Sequence, residues 1–131
     1  MTAYAFASLI TLLVVLLIVL AALNVGRARG LYGIKAPAVS GHELFERAFR
    51  VHMNTLESAV IMLPALWLYA LFIGDLGAGV MGAVWLAARV WYAITYLRDP
   101  AKRSAGYGIS FLAFIGLWAG ALWGVVKVLM Q

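Results

Sequence analysis

Residues 45–73 read FERAFRVHMNTLESAVIMLPALWLYALFI. The first half carries two arginines, a histidine, an asparagine and two glutamates; the second half carries no charge. No turn residue separates the halves, so the stretch predicts one continuous helix whose charged end emerges from an apolar span. Composition says what solvent the apolar end meets. The chain has 131 residues, 66% apolar and only 11% charged, whereas a soluble domain averages about 25% charged residues. A soluble protein of this size leaves about a third of its unfolded surface exposed, too much for so oily a chain. Lipid is the natural solvent. Cysteine is absent, which excludes disulfides, thiolate metal sites and a catalytic cysteine.

Outward from that stretch, the apolar segments predict spans at about 4–24, 43–73, 76–97 and 105–129. Each is near the ~20 residues that cross a ~30 Å hydrocarbon layer as a helix, and helix is required because unpaired backbone groups cannot face lipid. The first segment has no basic start, and its apolar core exceeds the ~7–15 residues of a signal peptide, so it reads as a span. The expectation is an all-α membrane protein, a four-transmembrane-helix bundle forming a single domain over 1–131.

Arg27, Arg29, Lys35, Arg47 and Arg50 lie between the first two spans or at the entry to the second. Arg98, Lys102 and Arg103 lie between the last two, and the connection 74–77 has no basic residue. Lys- and Arg-rich short loops stay cytoplasmic, so both termini should face the opposite side. The net charge of +5 is then a topological signal, and no nucleic-acid partner is expected. Ser40, Gly41, His42 and Glu43 fit a capping box, which starts the second helix at Gly41. Pro64 should bend that helix. Asp99-Pro100 should end the third.

Helical spacing places Arg50, Asn54 and Glu57 on one stripe, with Glu46 and Arg47 beside it and His52 pointing elsewhere. Arg89, Tyr92 and Tyr96 share a stripe on the third span. A charge at the centre of a membrane helix costs about 2.5–3.5 kcal/mol and normally has a partner, which suggests an Arg89–Glu57 pair. A plain polar seam between helices would use Arg50, Asn54 and Glu57 equally well. Tyr92 and Tyr96 would suit an interfacial aromatic belt, and Arg47, Arg98 and Lys102 would suit lipid headgroups. Gly116 and Gly120 suggest close helix contact. His52 has no partner one turn on, so no metal site is expected. A ligand bearing carboxylates and an amine would satisfy the arginines, Asn54 and Glu57 together. Cations also favour a thiolate over its thiol.

The run Glu46, Arg47, Arg50, His52, Asn54 and Glu57, written E-R-x-x-R-x-H-x-N-x-x-E, resembles the MAPEG superfamily, the membrane-associated proteins of eicosanoid and glutathione metabolism. With histidine at position 52 it is most similar to the microsomal glutathione transferase 1 and prostaglandin E synthase branch; the leukotriene C4 synthase branch usually has glutamine there. The similarity covers nearly the whole chain and includes Arg89-x-x-Tyr92-x-x-x-Tyr96 and Arg103-Ser104. Short loops and an Ala-, Gly- and Trp-rich composition look bacterial.

The resemblance implies a homotrimer with glutathione bound between subunits near the cytoplasmic face. It implies that Arg29 (or Arg27), Arg50, Asn54, Glu57, Tyr92 and Tyr96 bind glutathione. Arg103 would hold the sulfur as thiolate with Ser104 beside it, and Arg47, His52 and Arg89 would support them. Glutathione is then a co-substrate, no metal is implied, and a hydrophobic electrophile or lipid hydroperoxide arrives from membrane lipids. The expected activity is that of a glutathione transferase, with glutathione peroxidase activity in addition, in a bacterial inner membrane. The rival is a non-enzymatic protein that binds lipid or glutathione and presents it to a partner. Ser58, where the leukotriene branch has tyrosine, and a short connection from Tyr96 to Arg103 argue against eicosanoid specificity.

Overall fold

The computed structural model describes residues 3–131; Met1 and Thr2, inside the domain expected over 1–131, lie outside the described residues. Four long helices account for nearly all of it: α1 (Ala5–Tyr32), α2 (Glu43–Phe72), α3 (Asp75–Arg98) and α4 (Ser104–Leu129), with a 3-10 turn at Pro100–Lys102 between the last two. All four are long and apolar enough to cross a membrane. This is an all-α, four-helix membrane bundle.

Its surface shows the solvent it expects. On α1 the buried positions are small or slim, Ala7, Ile10, Val14, Val25 and Ala28, while Leu12 and Leu23 are more than 60% exposed. In water such a face would be untenable; in lipid it costs nothing, and the packed face is chosen by fit. Small residues set that fit. A Cβ on Gly120 would overlap the Tyr69 ring, and one on Gly116 would overlap Met81 Cε, so α4 lies close on α2 and α3. The contact expected at these two glycines is present.

Element ends differ from the sequence expectation in two places. Helix α1 does not stop near residue 24 but runs to Tyr32, so Arg27 and Arg29 are helical. Gly33 ends it at φ +67°, a left-handed conformation that suits glycine. Helix α2 begins at Glu43, not Gly41, and its cap is His42 rather than Ser40: Nδ1 accepts from the Leu44 N–H at 3.1 Å. The His42 ring stacks on Tyr32 at 3.9 Å, an anchor that a Ser40 cap would forgo. The chain stays helical through Pro64.

At the other end of the bundle the Asp75 carboxylate, on the first residue of α3, accepts from the Phe6 and Ala7 N–H groups at 2.9 and 2.8 Å. These are two of the donors that the start of α1 cannot satisfy internally, and the negative charge also meets the positive end of the helix dipole. Asp75→Ala should therefore cost about 1–2 kcal/mol, read as a lower Tm in detergent. An unchanged Tm would mean that water caps α1 equally well.

Candidate functional site

Three elements bring polar side chains to one end of the bundle. Helix α2 supplies Arg50 and Asn54, one turn apart. Helix α3 supplies Tyr92 and Tyr96 at the same spacing. Asp99 then stops α3, its Oδ1 accepting from the Ala101 N–H at 3.2 Å, and the 3-10 turn folds the chain back so that α4 opens with Arg103, Ser104 and Tyr107 against α3. Together these seven residues line a cavity of about 340 Å³. No carboxylate is among them. Arginine nitrogens can only donate, and hydroxyls can donate; the start of α4 adds the positive end of a helix dipole. Such a lining favours an anionic ligand rich in acceptors.

Arg103 is pre-set within it. Nη1 donates to the Pro100 carbonyl at 2.7 Å, and the guanidinium carbon lies 5.6 Å from the Tyr96 ring centre. Deeper, Arg89 is only 2% exposed. Its guanidinium carbon lies 4.9 Å from the Tyr92 ring centre, 5.3 Å from Tyr107 and 5.7 Å from Trp85. Nη1 donates to Asn54 Oδ1 at 2.7 Å and Nη2 to Ser58 Oγ.

Two further spaces adjoin. Arg50 and Tyr96 also line a recess of about 420 Å³ that includes Glu43, Glu46 and Arg47. Toward the hydrocarbon, Tyr107 is shared with a small gap of about 60 Å³ at Arg89. That gap shares Ile61 and Phe114 with an apolar groove of about 490 Å³ between α2 and α4. Polar cavity, small gap and oily groove are thus neighbours, each sharing wall residues with the next.

The MAPEG family model matches residues 6–123. The chain belongs to the MAPEG family. An uncharacterised protein of Synechocystis sp. is 42% identical over 124 residues, 95% of this chain and 90% of that one. Microsomal glutathione S-transferase 2 of Homo sapiens is 35% identical over 89 residues, 68% of this chain and 60% of that protein. Leukotriene C4 synthase of Bos taurus is 34% identical over 96 residues, 73% of this chain and 64% of that protein. The chain thus spans less than two thirds of the length of these last two relatives.

In this MAPEG chain, six of the eight residues expected to bind or activate the ligand line one cavity: Arg50, Asn54, Tyr92, Tyr96, Arg103 and Ser104. Two do not. Arg29 Nη1 donates to the Ala38 carbonyl at 2.7 Å and its guanidinium lies 4.9 Å from the Phe45 ring centre, bracing the α1–α2 connection. Glu57 is exposed on the outer side of α2. The expected Arg89–Glu57 pair is therefore absent, and Arg89 reaches Asn54 and Ser58 instead. At ~100° per residue, Glu57 sits about 80° around α2 from the line joining Asn54 and Ser58, and that line is the one facing α3. Of the supporting residues, Arg47 pairs with Glu43 and donates to the Leu97 and Arg98 carbonyls, both at 3.3 Å, tying α2 to the end of α3. His52 is half-buried, away from the cavity lining. Tyr107 was missed from the sequence; its position four residues after Arg103, on the same helical face, was the available signal.

Proposed function

We propose that this protein is a membrane-embedded glutathione transferase acting on apolar electrophiles, with the cavity of Arg50, Asn54, Tyr92, Tyr96, Arg103, Ser104 and Tyr107 as its glutathione site. The observation that carries the proposal is the lining itself: donors from three helices, with no carboxylate. Glutathione brings two carboxylates, amide carbonyls and a sulfur that reacts only as thiolate. Arg50, Asn54, Tyr92 and Tyr96 hold the peptide, Arg103 stabilises the thiolate, and the Ser104 hydroxyl donates beside it. The thiol proton leaves to water. The thiolate electron pair forms the new S–C bond, and the leaving group departs with its own pair. The electrophile enters from lipid along the α2–α4 groove. A lipid hydroperoxide attacked at its distal oxygen would yield an alcohol, with a second glutathione completing the disulfide and water.

The ammonium of glutathione is best met by a carboxylate, and none lines the cavity. Glu57, exposed at membrane depth, supplies one if it faces the cavity of a neighbouring copy, and Arg29 can reach a carboxylate in the same way. That completion calls for an assembly of copies, a homotrimer in this reading. The basic connections separately favour the site at the cytoplasmic side of a bacterial inner membrane, with both termini opposite. A protein that only presents lipid has no use for Arg103 at the cavity wall, which disfavours the non-enzymatic reading. Detergent-purified protein should bind glutathione calorimetrically, show thiolate absorbance on mixing and conjugate a chlorinated dinitrobenzene. Absence of binding at millimolar glutathione would end the proposal.

A further inference from the structure

Arg89 presents a charge without a counter-charge. It is 2% exposed, no carboxylate lies within 4.0 Å of it among the described residues, and its Nε has no hydrogen-bond partner. Its neighbours are three aromatic rings, the Ser58 hydroxyl and the Asn54 amide. An unpaired buried cation is expensive, and position 54 is where an aspartate would relieve it most directly. Asparagine stands there instead.

The hydrogen bond from Arg89 to Asn54 also has only one possible polarity. A guanidinium carries no acceptor, so the atom of the Asn54 amide that faces it must be the carbonyl oxygen. The Asn54 Nδ2 donors are then turned away from Arg89, and Asn54 is part of the cavity wall. We infer that Arg89 is a positioning residue: it clamps the Asn54 carbonyl so that this amide can only donate into the cavity, and its unneutralised charge is kept in reserve for an anionic ligand group held by Asn54. The cavity position beside Asn54 therefore takes a carboxylate or carbonyl oxygen and rejects an amine. Ser58, the second acceptor on the same face of α2, fixes the guanidinium rotation that makes the clamp possible.

This inference uses the glutathione reading for its binding measurements alone; its stability measurement needs no ligand. Asn54→Asp gives Arg89 the counter-charge it lacks, so the ligand-free Tm in detergent should match or exceed that of the unaltered protein. The same substitution turns a donor into an acceptor and cancels the reserved charge, so glutathione affinity by calorimetry should fall about tenfold or more. Arg89→Met fills the space without charge and frees the amide to rotate; affinity should again fall about tenfold. Arg89→Lys, also a donor with no acceptor, should recover part of that loss, which a merely space-filling role would not predict. A fall in Tm for Asn54→Asp, affinity within about twofold of the unaltered protein for Asn54→Asp or Arg89→Met, or Arg89→Lys no better than Arg89→Met would each overturn the inference. If the unaltered protein ignores glutathione, the proposed function falls, and the ligand-free Tm of Asn54→Asp still decides whether Arg89 lacks a counter-charge.

Discussion

Arg103→Ala should slow glutathione conjugation about a hundredfold or more at neutral pH while weakening glutathione binding less than about tenfold. An ordinary thiol has a pKa of ~8.5, so only a few per cent of it is thiolate at neutral pH. A guanidinium beside the sulfur raises that fraction and stays with the charge until the new bond forms. Arg103 is ready for this before any ligand arrives, because the Pro100 carbonyl and the Tyr96 ring already fix its position. Little reorganisation is left for the reaction step. In the proposed site, grip on the peptide is assigned mainly to Arg50, Asn54 and the two tyrosines of α3, which the substitution leaves in place. The deficit should also shrink as pH rises through the ordinary thiol value, because hydroxide then supplies the thiolate that Arg103 no longer stabilises. Equal losses in rate and binding, or a deficit independent of pH, would strip Arg103 of this role and leave it one of several peptide contacts.

The spans could be read from the sequence because lipid leaves little choice. A segment must be long enough to cross and must satisfy its own backbone, so hydropathy and length specify each helix almost alone. The signal fails where the helix leaves the hydrocarbon. Residues 25–32 of α1 carry Arg27 and Arg29 and two glycines, Gly26 and Gly30. They are too polar to register as span and too glycine-rich to announce a helix, yet the helix continues to Tyr32. The two polar stripes were legible for a similar reason: periodicity puts Arg50 with Asn54 and Tyr92 with Tyr96 whatever the tertiary structure. Periodicity cannot say which side of a stripe faces the next helix. In the apolar half of α2, packed positions such as Met62 and Leu66 and unpacked ones such as Val60, Ile61 and Leu68 are equally oily, so hydropathy there did not set its rotation. A turn of about 80° decides whether Arg89 meets Glu57 or Asn54 and Ser58. The Asp75 cap on α1 was illegible because it depends on which helix ends are neighbours in space.

Gly106→Ala should disable the site through one added methyl group, while Gly108→Ala on the same helix should be harmless. A Cβ at Gly106 would stand 2.8 Å from the Tyr92 nitrogen, 2.9 Å from its Cα and 2.9 Å from the Ala88 carbonyl oxygen. All three are backbone atoms of α3, so no side-chain rotation can relieve the contact; the helices must part. Overpacking of this kind costs about 1–3 kcal/mol. Its functional cost is larger, because Gly106 lies within one turn of Arg103, Ser104 and Tyr107. Moving the start of α4 outward carries Arg103 from the Tyr96 ring and Tyr107 from Arg89, opening the cavity along its α3 wall. Gly108 has nothing within 4 Å of the equivalent position. Alanine there adds helix propensity, a gain of up to about 1 kcal/mol. The pair therefore separates close approach from any general intolerance of α4. Gly106→Ala should lower both Tm and glutathione affinity, and Gly108→Ala should lower neither. Affinity retained in Gly106→Ala at a reduced Tm would show that the site survives separation of α3 and α4, and that Arg103 owes its place to the Asp99–Pro100 turn alone.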